Sequence, residues 1–356
     1  MRKLIVVLLV GLMLVGCQGA KDQVQEQTNS STASMDSFND SYYKIIGKDG
    51  SQLREDFYLT YGTSHDFETV GRGLQILSTN YFSTSSHYMS EGQYLKLSML
   101  NELLGRKSEY SIQPSASEVI ENVEAPTMVQ TIQEQDYYVR SGNNYTLKGI
   151  SFALIIDPRK RDNTVLDTPM SNASIEKYGR ECISKFYNVI TKAEDFEKIK
   201  DLPILITIYR ATDKTSSTVD GNYILKCYCQ KGLGEIVKVN HENVLFTSDR
   251  AEKLDKTTYA DFSALKTSLK DAAQEAAGLV GEARYVDGQI QSMVITANLN
   301  VKTYTELMYL TSLIADGIDS IFTYDFDVKV LVNSQDELQA VIIKEKGQKV
   351  KSYDLY

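Results

Sequence analysis

The chain has 356 residues and a formal charge of −9, with 42% hydrophobic and 24% charged residues. That balance suits a folded globular protein, and the acidic excess argues against nucleic-acid binding, which draws its affinity from Lys and Arg on phosphates. Three His and four Cys supply neither a disulfide framework nor a ligand set of recognisable zinc spacing.

The chain opens with a positive Met1-Arg2-Lys3, followed by an uncharged apolar run from Leu4 to Val15. This is the layout of a secretory signal peptide covering residues 1–16. The run is shorter than the roughly 20 apolar residues that cross a bilayer as a helix. Leu14-Val15-Gly16-Cys17 resembles the bacterial lipoprotein box, which implies cleavage between Gly16 and Cys17. It also implies a thioether-linked diacylglyceryl group on Cys17, with palmitate-type chains as the membrane partner. Two acyl chains anchor stably where one binds reversibly. Without Arg2 and Lys3 the 38 cationic residues become 36 against 47 acidic ones, a formal −11. Such a body is not drawn electrostatically to an anionic bilayer.

Residues 17–42 are rich in Gln, Asn, Ser, Thr and Asp and read as a lipidated flexible tether. Residues 43–134 read as mainly helical. A helix begins near Glu68 and runs through Gly73-Leu74-Gln75-Ile76-Leu77. A second carries Met99, Leu100, Leu103 and Leu104 at helical spacing and stops at Gly105. Val70-Gly71-Arg72-Gly73 lacks the third glycine and the preceding strand of a dinucleotide loop.

Residues 135–250 form a first α+β unit. Gly149–Ile156 is a β-rich run ended by Asp157-Pro158. Ser174 is placed to cap a helix with Ile175, Tyr178, Cys182, Phe186 and Ile190 on one face. Strands follow at 204–209 and 223–229. Cys227 and Cys229 share a strand face and fit buried core thiols, as does Cys182.

Residues 251–356 hold a linking helix with Phe262, Leu265, Leu269 and Ala276, then a second unit. Its strand at 290–299 precedes a helix with Leu307, Leu310, Ile314 and Ile318, and strands follow at 327–332 and 338–344. The fold class expected is α+β: two β-α-β-β units, a duplication over about 150–245 and 285–345. The short loops imply antiparallel sheets with helices on one face.

Several stretches carry a family resemblance: Glu91-Gly92-Gln93-Tyr94-Leu95, Glu134-Gln135-Asp136-Tyr137-Tyr138 and Leu147-Lys148-Gly149-Ile150-Ser151. Val244-Leu245-Phe246 and the stretch from Gly278-Leu279-Val280-Gly281 to Leu299 complete the set. In this order, behind a lipoprotein signal, they resemble the CamS-type sex pheromone lipoproteins from about Tyr81 to Lys344. The resemblance implies that the discarded signal is trimmed to an apolar mating peptide. Here that peptide is Val10-Gly11-Leu12-Met13-Leu14-Val15-Gly16, with Leu9 as an optional extension. No biochemical activity of the folded part is implied, and no cofactor.

The chemistry-bearing residues are sparse. His65, His87 and His241 stand in no triad or metal-ligand spacing. Asp325 and Asp327 have acid-base spacing but fit solvated strand flanks. Glu91, Gln93, Glu134 and Asp136 fit either a groove lining or caps of helices and turns. The function expected is an extracytoplasmic, membrane-anchored binding or interaction module with an unknown surface ligand or protein partner. The alternative is a cell-envelope enzyme acting on glycan or peptide. A Tyr-lined groove between the units favours binding, and converging carboxylates of raised pKa in a cleft favour the enzyme.

Overall fold

The computed structural model describes residues 25–26, 32–33, 42–48, 50–55, 59, 66–211, 221–246, 248–272 and 278–355. The expected signal peptide, Cys17 and most of the expected tether lie outside them. Within the tether stretch, β1 (Gln25–Glu26) and β2 (Thr32–Ala33) lie along a sheet.

The first sheet is built around a long hairpin. Strand β7 (Thr127–Ser141) pairs antiparallel with β8 (Asn144–Arg159), and Gly142 opens the turn at φ +60°, a left-handed conformation that glycine adopts without strain. Helix α3 (Asn172–Lys192) then carries the chain over one face to β9 (Ile204–Arg210), which runs parallel to β8. A parallel pair requires such a crossover. Strands β10 (Asn222–Cys229) and β11 (Ile236–Lys238) return antiparallel. On the other flank β3 (Lys44–Ile46) runs parallel to β4 (His87–Glu91), and β4 pairs antiparallel with β7. The order is β11-β10-β9-β8-β7-β4-β3-β2, with β1 alongside β8. Helices α1 (Asp66–Ser78) and α2 (Leu97–Leu104) precede β7, as does the small β5–β6 ribbon (Val119–Ile120 and Val123–Glu124).

The second sheet follows the same walk. It runs β12 (His241–Phe246), α4 (Asp249–Leu254), α5 (Lys256–Ala272), β13 (Gly278–Val286) and β14 (Gln289–Leu299). Then come α6 (Tyr304–Ser320), β15 (Asp327–Ser334), β16 (Glu337–Lys344) and β17 (Lys351–Asp354). The order is β12-β13-β14-β15-β16-β17, with β14 and β15 parallel across α6 and the other pairs antiparallel. Asp287 and Gly288 at the β13–β14 turn both have positive φ, as do Gln335 and Asp336 at the β15–β16 turn. That twist matches a two-residue hairpin.

The apolar helix faces lie where the spacing placed them. Ile175, Tyr178, Cys182, Phe186 and Ile190 of α3 are buried, as are Phe262, Leu265 and Leu269 of α5 and Leu307, Leu310, Ile314 and Ile318 of α6. Ala276 lies outside the described residues. The cap of α3 is Ser171, whose hydroxyl accepts from the Ser174 backbone N–H at 3.2 Å; Ser174 instead donates to the Glu121 carboxylate at 2.6 Å.

Four expectations are corrected. The sheets are mixed, each with a parallel pair across its helix, because a crossing helix between neighbouring strands brings them in parallel. Helices cover both faces of the first sheet: Phe152, Leu154 and Ile156 join the core under α3, while Ala153, Ile155 and Leu205 join a separate core under α1. A strand buried on both faces is apolar at every position, and Gly149–Ile156 is such a strand. The described part of 43–134 is not mainly helical: beside α1 and α2 it supplies β3, β4 and the start of β7 to the sheet. Strand β12, in the stretch assigned to the first unit, pairs in the second sheet.

Candidate functional site

Two motifs of the resemblance, Glu91–Leu95 and Glu134–Tyr138, meet at a buried clamp. Glu134 and Asp136 alternate along β7, so both point to the α2 side of the sheet. The Glu134 carboxylate accepts from the Tyr94 backbone N–H at 3.0 Å and from that of Leu95 at 2.7 Å. Asp136 Oδ2 accepts from the Gln93 N–H at 3.1 Å. Together they hold the loop that leads into α2. A Cβ on Gly92 would stand 2.4 Å from Glu134 Cβ, so only glycine fits there. Burial raises both acids, and the neighbouring Glu134 charge lifts Asp136 further, well above the carboxylate range. Burial and the Glu134 charge thus favour the protonated form of Asp136. The intervening Gln135 points to the opposite face and donates to Gly71 O at 2.8 Å. Of the four residues expected at a groove or at caps, Glu134, Gln93 and Asp136 thus brace a loop. Glu91 accepts from the Ser51 N–H at 2.9 Å through its exposed carboxylate.

A different place has the shape of a site. A cleft of about 400 Å³ lies where α1 and the ends of β9 and β10 meet β12–β15 of the second sheet. Its first wall presents Arg72, Tyr209 and Asn222; its second presents His241, Arg284 and Val294. Tight packing frames it. Tyr223 OH donates to Val70 O, a Cβ on Gly73 would meet the Tyr223 ring at 2.4 Å, and Asn243 Nδ2 donates to Gly221 O at 3.1 Å. Tyr209 and Tyr223 pack edge to face at 5.1 Å. Burial and the Arg284 charge push His241 down to about 4, so it is neutral at pH 7. Arg72 was visible only as part of a rejected glycine motif, which proves to be a turn of α1. Arg284 and Asn222 carried no local signal, because their neighbours in the cleft come from distant strands.

The remaining sequence candidates are structural. His87 Nδ1 lies 3.1 Å from Ser83 O and 3.0 Å from Ser86 Oγ. Asp327 and Asp325 accept from the backbone N–H groups of Lys346 and Gly347 at 2.8 and 3.1 Å. Cys227 and Cys229 lie 3.6 Å apart in the core, and burial pushes the Cys182 thiol up to about 12, far from thiolate chemistry. His65, Cys17 and Val10, Gly11, Leu12, Met13, Leu14, Val15 and Gly16 lie outside the described residues. Among the described residues no three His, Cys, Asp or Glu gather to hold a metal, and no helix is long and apolar enough to cross a membrane.

The family model described as CamS sex pheromone cAM373 precursor matches residues 50–350. No curated protein matches. Among solved structures, one similar fold is a sex pheromone precursor from Lactobacillus salivarius subsp. salivarius UCC118. Its TM-score is 0.80 at 20% identity, covering 92% of this chain and 99% of that one. The C-terminal domain of the sex pheromone staph-cAM373 precursor from Staphylococcus aureus is also similar. Its TM-score is 0.66 at 20% identity, over 82% of this chain and 97% of that one.

Proposed function

Since the chain belongs to the CamS family of sex pheromone precursors, we propose that it is an extracytoplasmic lipoprotein whose body is a binding module held at the membrane by Cys17. The observation that carries the anchor is Leu14-Val15-Gly16-Cys17 behind a positive start and an apolar run. Cys17 is the one residue there whose side chain can take a thioether lipid. Its replacement by Ser moves the protein from the membrane fraction to the soluble or unprocessed pool. Normal cleavage with full membrane retention contradicts the anchor.

The discarded signal releases Val10–Gly16, an apolar heptapeptide with no charged side chain. Synthetic Val10–Gly16 induces a mating response in a responder carrying the matched receptor. Silence across responders that answer other family peptides contradicts that part.

The body is a duplication, two copies of one strand–helix unit. This is supported by the same walk in both sheets: hairpin, crossing helix, parallel strand, antiparallel return. Ile204–Arg210 and Asp327–Ser334 each lie parallel to the strand before the crossing helix. The binding site is the cleft between the units, which holds the polar convergence a binding site needs. The acids of raised pKa lie in the clamp, on the opposite sheet face from α1, so the observation that would favour an envelope enzyme belongs to a loop brace.

A further inference from the structure

The cleft has an unusual charge balance for so acidic a chain. Arg72 and Arg284 line it together, against a single carboxylate, Glu282, and the neutral His241. Burial raises the cost of the Arg284 charge, and the Arg72 guanidinium is near enough to add repulsion. Among the described residues no carboxylate lies within ion-pair distance of either, and Asp327 attracts Arg284 only from further off. The Nε of Arg284 is buried and without a hydrogen-bond partner, as is Oδ1 of Asn222 across the cleft. A buried donor left unmade costs its full desolvation; the rest of Arg284 is part-buried and Arg72 is exposed, so both guanidiniums are open to an incoming anion. Folds retain such features where a ligand completes them.

We propose that the cleft binds a small organic oxyanion, a carboxylate or phosphate, held by Arg72 and Arg284, with Asn222 Oδ1 accepting from an adjacent hydroxyl or N–H of the same ligand. The proposal deepens the reading of the body as a binding module and is independent of the anchor. The planar guanidinium fork suits both oxyanions. Val294 and Leu331 of the second sheet supply an apolar floor, and Tyr209 an aromatic wall. The volume sets the size: a small molecule or a single end group of a polymer.

The test is calorimetric titration of the mature full-length chain at low ionic strength with sn-glycerol 3-phosphate and, separately, with N-acetylalanine. Both carry an oxyanion beside a donor. At least one saturates a single site, and which one identifies a phosphate or a carboxylate source. Arg284→Met weakens that binding at least about tenfold, and Arg284→Lys falls between. Arg140→Met, at an exposed arginine bonded to Gly142 O, leaves it unchanged. Without ligand, Arg284→Met melts no lower than wild type, because burial and the Arg72 charge outweigh the attraction of Asp327 at this guanidinium. Failure of both anions to saturate, or full affinity in Arg284→Met, overturns the proposal. So does a large drop in the melting point of Arg284→Met, which would mark the guanidinium as structural. Membrane release by Cys17→Ser is read separately, so failure of the anchor and failure of the cleft are distinguishable.

Discussion

The two sheets share a walk but not a wrapping. In the first, β8 from Gly149 to Ile156 and β9 from Ile204 to Tyr209 are buried without a break, because α2 and α3 lie on one face and α1 on the other. In the second, α5 and α6 cover one face only, and β14 and β15 alternate: Met293, Ile295 and Ala297 point into the core while Val294 is 37% exposed. Coverage of both faces makes the first sheet a scaffold. The helix-free face of the second is available, and the cleft forms where α1 and the end of the first sheet lean on it.

The difference is sharpest in paired truncations. Ile155→Ala, in the core under α1, costs about 2–5 kcal/mol, whereas Val294→Ala stays within about 0.5 kcal/mol. Chemical denaturation of both variants checks this; equal costs would mean the second sheet is as enclosed as the first.

The clamp comes next in size. Glu134→Gln exchanges a charged acceptor of two backbone N–H groups for a neutral amide, and destabilises by about 1–3 kcal/mol. No such buried carboxyl brace serves the second sheet among its described residues, where Asp255 accepts from Thr258 and Tyr285 at a half-exposed helix start. The clamp also sets a pH dependence. Folding raises Asp136 from its ordinary 3.8, so above that pH the folded chain binds more protons than the unfolded one, and stability falls as pH rises. Asp136→Asn has no such proton to lose. Its stability relative to wild type moves in its favour from pH 4 upward, measured as melting temperature against pH. A parallel pair of curves would remove the raised Asp136 from the account.

The smallest effect lies in a turn. Gln335 and Asp336 both adopt positive φ in the β15–β16 hairpin. Asp336→Gly relieves one of them and stabilises by about 0.5–1 kcal/mol.

Much of the fold was legible where periodicity is strong. The faces of α3, α5 and α6 and the continuous run of β8 follow directly from apolar spacing. Strand β7 was hidden because its centre, Glu134-Gln135-Asp136, is polar yet buried; the acids are matched by loop N–H groups that lie some 40 residues away in the chain. Strand β13 was hidden behind Gly278 and Gly281, which look like breaks. In the fold Gly281 instead lets the Phe262 ring pack at what would be 2.9 Å from a Cβ. The motif residues were legible as a set but not as a clamp. The cleft was not legible, since Arg72, Asn222 and Arg284 are brought together only by the packing of one unit against the other.

The contrast in wrapping is tested most directly by thiol labelling of the native protein. In a Cys17→Ser background the three remaining cysteines, Cys182, Cys227 and Cys229, are all buried. Val294→Cys added to that background is predicted to react with a maleimide at the rate of an exposed thiol, while Ile155→Cys and the native three react only on unfolding. A Val294→Cys thiol as protected as the native three would contradict the open face of the second sheet, and with it the cleft built on that face.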